Sequence, residues 1–345
     1  MNPPRKILII RLSSLGDILH VLPAFQSLRA AHPEARIDWL VESRMAFLIS
    51  AVEGVNNIVT IDTKALRTDP AAAWTPAVSA IRSLRSAAYD VSLDFQGLLK
   101  TAALSLLGGA RIRIGFSRDL VWEKPAHWFY HRTVARPSTP THIVDLNLML
   151  ASLAGAAPGS EPVRLSIAAA DEAAVESMLS ENGLREFVVI NPGGGWYTKR
   201  WPPARYGALA AKITRDLGLA VGVTTGPGEE GLYEEIAGNS GGIKLHRLPV
   251  PFLQLIPLLK RARLLVGGDS GPFHLACALR TPVVGIFGPT DPARNGPWGS
   301  VDECVVRVLP CSFCYGRTCP TQNECMDLGV EQVFQAVVRR LSGRN

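Results

Sequence analysis

The chain has 345 residues, 47% hydrophobic and 19% charged, with lysine and arginine exceeding aspartate and glutamate to give a net charge of +6. That length exceeds what one hydrophobic core usually fills, so two domains are expected. No apolar run reaches the roughly 18 residues of a membrane span, and residues 1–6 lead into a strand without a cleavable leader, so a cytoplasmic chain is expected.

The basic residues are scattered without interleaved aromatics or any nucleic-acid-binding motif, which argues against a nucleic-acid partner. The positive balance leaves an anionic small substrate or an anionic lipid surface. Along the chain, KILIIR reads as a buried strand, residues 17–31 as a helix and RIDWLVES as a second strand. Between the first two, RLSSLGD places Arg11, Ser13, Ser14 and Asp17 at the carboxyl end of a strand, where open α/β sheets bind ligands. Asp17 is there either the cap of the helix or a group that does chemistry. The serines suit hydrogen bonds to loop amides or ligand, and His20, one turn on, reads as helix packing.

NIVTID, a helix over 78–87, YDVSLDFQG and a helix over 98–107 continue the alternation of a parallel sheet covered on both faces. Gln96 and Lys100 open that last helix on the ligand side. Residues 115–140 break the pattern, and RDLVWEKPAHWFYHR sets Trp122, Trp128, Phe129 and Tyr130 among cations. These aromatics read as packing under a loop, with contact to lipid as the other reading. A helix over 143–154 then leads into GAAPGSEP, a linker by composition.

The alternation restarts with FVVINPGGGWYTKRWP. Gly193, Gly194 and Gly195 leave backbone N–H groups unobstructed and Lys199 adds a cation, a combination suited to a diphosphate. The stretch lacks the Gly-Lys-Ser/Thr of a Walker loop and is not a GxGxxG opening a helix, which disfavours a nicotinamide dehydrogenase. After a helix over 206–217, LAVGVTTGPGEE offers Glu229 as an acceptor for ribose or adenine. RLLVGGDSGPFHLA follows a helix from 232 and supplies Asp269, Ser270, Gly271 and His274. Asp269 suits the cap of the next helix, and Ser270 and Gly271 bring N–H groups to its N-terminus, where phosphate is favoured. PVVGIFGPTDP reaches the same edge of the sheet, so these loops converge on a nucleotide diphosphate.

Of six cysteines, Cys311, Cys314, Cys319 and Cys325 crowd together, either as a structural metal site or as reduced thiols bracing a proline-rich tail. Four thiolates would close the coordination sphere, so a metal there serves structure and not catalysis. The expected architecture is α/β, two Rossmann-like doubly wound domains facing across a cleft, over residues 1–160 and 161–329. The terminal segment 330–345, helical over 330–341, lies beyond the cysteines and can pack back on either domain, with the N-terminal domain as the assignment.

SSLGD, DFQGLLKTA, GGGWYTKRWP, GGDSGPFHLA and GIFGPTDP occur in that order over nearly the whole length. On these motifs the chain resembles glycosyltransferase family 9, the ADP-heptose:lipopolysaccharide heptosyltransferases. The resemblance implies a GT-B fold with an N-terminal acceptor domain and a C-terminal nucleotide-sugar domain. It implies an inverting, metal-independent transfer that requires no cofactor, with ADP-heptose as donor. The implied acceptor is Kdo-lipid A at the inner face of the inner membrane, in lipopolysaccharide inner-core synthesis.

Position by position, Asp17 matches the family's proposed base and Lys199 the lysine on the diphosphate. Asp269 and His274 match the pair near heptose and phosphates, Glu229 a ribose carboxylate, and Arg11 a position held by lysine in some members. Arg11, Ser13, Ser14, Gln96 and Lys100 fall to the acceptor side, with Lys64, Arg67, Arg118, Lys124 and Arg132 as further cations for an anionic acceptor. Two departures stand out. Residues 193–195 replace threonines of close relatives, which passes phosphate contact to the backbone, and the cysteine-rich tail resembles other branches of the family. The alternatives are the second heptose transferase or another family 9 sugar transferase, a GT-B-like sugar-nucleotide epimerase, and a non-catalytic nucleotide-sugar-binding protein.

Overall fold

A computed structural model of the chain describes residues 3–157, 159, 162–299 and 301–343. It divides into two compact units, Met1–Ser166 and Ile167–Asn345. The domain boundary expected after residue 160, and positions 158, 160 and 161 of the GAAPGSEP linker, lie outside the described residues. Among the described residues no helix is long and apolar enough to cross a membrane.

The first unit is built on β1 (Lys6–Ile10), β2 (Arg36–Glu42), β3 (Asn57–Ile61), β4 (Val91–Asp94), β5 (Ile112–Phe116) and β6 (Arg132–Val134). All pair in parallel, in the order β3-β2-β1-β4-β5-β6. A parallel strand covered on both faces needs a continuous apolar run, and Ile7, Leu8, Ile9 and Ile10 are accordingly all fully buried. The order reverses between β1 and β4, where Ile7 faces Ile37 on one side and Val91 on the other. Crossovers leave such a point in opposite directions, so the crevice beyond the carboxyl ends of β1 and β4 stays open for a ligand.

The helices Leu15–Ala31, Pro70–Ala87, Leu99–Leu107 and Ile143–Ser152 cover this sheet. The second begins eight residues before the sequence reading, at Pro70, with the Asp69 side chain accepting from the Ala72 amide. Proline is at home in a first turn, and Pro76 is carried inside the helix. β5 and β6 border and enter the stretch expected to be irregular. β6 escapes a pattern search because it has only three residues, two of them exposed.

The second unit repeats the plan with β7 (Phe187–Asn191), β8 (Ala220–Val223), β9 (His246–Arg247), β10 (Leu264–Gly268), β11 (Val283–Phe287) and β12 (Glu303–Val306). Their order is β12-β11-β10-β7-β8-β9, so the reversal falls between β7 and β10. A helix over Ala169–Glu181, not foreseen, precedes β7.

The terminal helix, Val330–Ser342, corrects an expectation. It packs on this second sheet, burying Val333, Phe334, Ala336 and Val337 among Leu209, Val284 and Ile286. These positions recur at helical spacing and form one apolar stripe, each large side chain contributing about 1.5–3 kcal/mol by its burial.

Candidate active site

In the first unit the loop after β1 is stitched to the loop after β4. The Leu12 amide donates to Gln96 Oε1 at 2.8 Å and Arg11 Nη1 donates to the Phe95 carbonyl. The helix begins at Leu15 with Ser14 as its cap, which makes Asp17 the third helical residue and not the cap. Asp17 Oδ2 accepts from the Ser14 amide at 3.0 Å and the Ser14 hydroxyl at 2.7 Å, the return half of a capping box. Its Oδ1 lies 2.8 Å from Arg11 Nη2, with the arginine side chain 12% exposed and the aspartate 41%. Ser13 is half-buried in the same loop, and its peptide bond to Ser14 is cis.

Desolvation in this loop raises the Asp17 carboxyl. The Arg11 guanidinium, the Ser14 hydroxyl and amide and His20 together outweigh it and hold the group well below the ordinary carboxylate range. The result is an ionised carboxylate with fixed orientation and partial exposure.

Asp94, fully buried at the end of β4, shapes the adjoining turn. It accepts from the Gln96 amide at 2.9 Å, the Gly97 amide at 3.2 Å and the Tyr130 hydroxyl at 2.7 Å. Burial nonetheless pushes its carboxyl up from the usual value. Lys100 is not simply solvated: Nζ donates to Thr63 Oγ1 at 3.0 Å and stands 3.9 Å from Glu42 Oε1. Glu42 is buried and accepts from both the amide and the hydroxyl of Thr63. The sequence reading passed over Glu42, Thr63 and Asp94. The signal for the two acids was a carboxylate as the last residue of a largely buried strand. Lys64, Arg67, Arg118 and Arg132 are exposed, while Lys124 spends its ammonium on the carbonyls of Arg118 and Val121.

In the second unit the loops after β7 and β10 flank the reversal of the sheet. Lys199 Nζ donates to Asp269 Oδ2 at 2.7 Å, and His274 Nε2 meets Asp269 Oδ1 at 2.7 Å. Asp269 and His274 are buried and Lys199 is 16% exposed. Burial raises the Asp269 carboxyl, but the hydrogen bond and charge of His274, followed by Lys199, carry it well below its ordinary range. The cap of the Gly271–Ala278 helix is Ser270 and not Asp269, and Ser270 Oγ donates to Asn191 Oδ1 at 3.1 Å. That bond ties the two loops together. Gly268 is required by their approach, since a Cβ there would stand 2.9 Å from the Lys199 carbonyl.

Glu229 and the glycines form one assembly. Glu229 Oε1 accepts from the Gly194 amide at 3.2 Å and from Arg200 at 3.2 Å, while Oε2 accepts from the Gly226 amide at 3.0 Å. A Cβ on Gly193 would collide with this carboxylate, whereas Gly194 and Gly195 face open space. The three glycines therefore do different things. Gly193 makes room for Glu229, Gly194 is held by it, and Gly195 leaves its surroundings clear.

A model of glycosyltransferase family 9 (heptosyltransferase) matches residues 77–324, and lipopolysaccharide heptosyltransferase 1 of Pseudomonas aeruginosa is 30% identical over 347 aligned residues, 95% of this chain and 92% of that protein. The chain belongs to glycosyltransferase family 9. The solved structure of the E. coli heptosyltransferase WaaC with ADP is 25% identical, with a TM-score of 0.77 over 97% of this chain and 99% of that one. A family 9 glycosyl transferase from Veillonella parvula superposes with a TM-score of 0.84 over 99% of this chain and 98% of that one, at 18% identity, a likeness of fold. The chain is thus an α/β glycosyltransferase of the GT-B class.

Within this family member, the donor-side set also contains residues the sequence reading omitted. Arg200 donates to the Gly194 carbonyl at 2.8 and 3.0 Å, and Trp196 carries Lys199 Nζ at 4.2 Å and the Arg317 guanidinium at 5.0 Å from its ring. Arg317 comes from the cysteine-rich tail, which is anchored by the Thr198 hydroxyl donating to the Gly316 carbonyl at 2.8 Å. All four tail cysteines are free thiols, with Cys311 and Cys314 exposed and Cys325 buried.

The Gly316 and Asn323 amides donate to Cys314 and Cys319 Sγ, each at 3.4 Å. Among the described residues no group of three or more His, Cys, Asp or Glu side chains is drawn together to hold a metal ion. Burial, with the nearby Cys319, Cys314 and Cys311, pushes the Cys325 thiol up, and its sulfur packs under Gly288.

Proposed function

We propose that this chain transfers L-glycero-D-manno-heptose from ADP-heptose to the Kdo of Kdo-lipid A, with inversion, and that Asp17 is the general base. The observation that carries the reading is the Asp17 carboxylate: ionised, oriented by Arg11 and Ser14, and 41% exposed at the reversal point of its sheet. The relative named lipopolysaccharide heptosyltransferase 1 and the WaaC structure with ADP support the donor and the acceptor class.

The acceptor hydroxyl oxygen attacks the anomeric carbon of heptose while its proton passes to Asp17. The bond from that carbon to the diphosphate oxygen breaks, and ADP departs with the electron pair. One displacement needs one base and no covalent intermediate. A carboxylate with a depressed pKa is a modest base, and the fixed geometry about it supplies much of the effect.

On the donor side Lys199, the Ser270 and Gly271 amides at the helix N-terminus and the Gly195 backbone receive the diphosphate and its departing charge. Asp269 holds Lys199 and His274 in place, and Glu229, fixed against the glycine loop, faces the nucleoside. Arg11, Ser13, Ser14, Gln96 and Lys100 serve the anionic acceptor. No metal or other cofactor enters any step.

The test is ADP release from ADP-heptose with Kdo-lipid A and heptosyl-Kdo-lipid A as parallel acceptors. Turnover with the first alone supports the proposal. Turnover with the second alone makes the chain the second heptose transferase. Release without acceptor, or with neither, overturns the reading.

A further inference from the structure

The Leu99–Leu107 helix buries Ala102 and Leu104 together with two hydroxyl side chains and leaves three leucines outside. Its buried face carries Thr101 and Ser105, whose hydroxyls are satisfied by the Leu98 carbonyl at 2.9 Å and Ser92 Oγ at 2.7 Å. Its outer face carries Leu99, Leu106 and Leu107, each more than 40% exposed, with Lys100 beside them. Leu99, Ala103 and Leu106 follow the i, i+4, i+7 spacing of one stripe, so the exposed leucines form a face and not isolated positions.

The segment Lys124–Phe129 packs against this helix, and the Glu123 carboxylate accepts from the Leu99 amide. On it Tyr130 is buried, as the packing reading expected, but Trp122 and Trp128 are 72% and 75% exposed. Indole rings left in water on a folded, hydrogen-bonded segment suit a surface where one side is apolar and the other wet. Charge points the same way: residues 96–136 hold seven lysines and arginines against Asp119 and Glu123. Arg118 and Arg132 are exposed, and Lys100 sits on the helix itself.

We infer that this face, with Trp122, Trp128, Leu99, Leu106 and Leu107 at its centre, docks the first unit onto the surface of an anionic lipid bilayer. Cations among apolar side chains match a negatively charged headgroup layer over acyl chains, which a protein partner or a second copy of this net-positive chain does not offer. The inference deepens the proposed function by giving its lipid acceptor a surface on which to be met, and the docking is measured without any turnover.

The experiment is co-sedimentation of the full chain with vesicles of phosphatidylcholine containing 30% phosphatidylglycerol, beside pure phosphatidylcholine vesicles. Wild type is expected to bind the anionic vesicles, less so as salt rises, and Trp122→Ala/Trp128→Ala to bind them roughly tenfold or more weakly. A second variant, Leu106→Ser/Leu107→Ser, is expected to lose binding in the same way, with both melting as wild type does.

With a deacylated, soluble Kdo acceptor the tryptophan variant keeps its turnover; with acceptor in vesicles it loses it. Wild type that fails to sediment, variants that sediment equally, or equal binding to neutral vesicles each overturn the inference, as does a change of oligomeric state with vesicle binding intact. Patch-dependent binding without heptosyl transfer sinks the functional reading and leaves the docking face standing.

Discussion

Asp17→Asn removes the proton acceptor and one negative charge but leaves an oxygen to take the Ser14 amide, so the structure separates its two costs. The Arg11–Asp17 pair is partly open to solvent, the aspartate side chain being 41% exposed. After screening, its loss costs about 0.2–1 kcal/mol. For a unit of this size that moves Tm by about 2–4 °C at most. Loss of a positioned base lowers kcat by about 10²–10⁴, a barrier increase of about 3–5 kcal/mol.

The assay is acceptor-dependent ADP release at saturating ADP-heptose, with melting and donor affinity measured on the same preparations. The expected result is a collapse of kcat with Tm and donor affinity nearly intact. The carboxyl is held below the usual value of about 3.9. Its contribution to stability is therefore complete above that pH and is lost only as pH falls through the lower folded value. In wild type it adds no acid limb to kcat/KM between about pH 5 and 8. A variant turning over within threefold of wild type, or one whose loss is matched by a loss of melting temperature, would refute the assignment.

Asp269→Ala strips the buried carboxylate from between Lys199 and His274 and is expected to cost about 3–5 kcal/mol in urea unfolding at neutral pH. Because the Asp269 carboxyl is also depressed, the advantage of wild type over Asp269→Asn is full above about pH 4 and fades as acid carries the group through its folded pKa. Gly193→Ala drives a methyl into Glu229 and is expected to cost about 1–3 kcal/mol and weaken ADP-heptose binding by calorimetry, whereas Gly195→Ala, facing open space, keeps its stability within error. Phe334→Ala hollows the second unit beneath its terminal helix and is expected to lower stability by about 3–5 kcal/mol in denaturant unfolding, with donor affinity unchanged below the transition.

By itself the sequence determined the two doubly wound sheets, because apolar runs such as KILII and FVVI followed by glycine- and serine-rich loops can be satisfied only as buried parallel strands with ligand-facing carboxyl ends. It also set Asp17, Lys199, Asp269 and His274 shortly after strands, and in the structure Asp17 and His274 stand in the first turns of helices, Lys199 in the short helix Tyr197–Lys199 and Asp269 just ahead of the Ser270 cap. Contacts between distant segments were decided only by tertiary structure. That Asp269 joins Lys199 across 70 positions, that Glu229 occupies the space Gly193 vacates, and that Ser270 bonds Asn191 all depend on which strands become neighbours.

The cap positions fall to Ser14 and Ser270 because the backbone enters each helix there, while the Asp17 carboxylate returns to the Ser14 amide and Asp269 bonds Lys199 and His274. The terminal helix carried a legible apolar stripe, but a stripe specifies that a face is buried and not against which sheet. The Leu99–Leu107 helix shows the same limit from the other side. It buries Leu104 beside Ser105, which meets Ser92, and leaves Leu99, Leu106 and Leu107 to solvent.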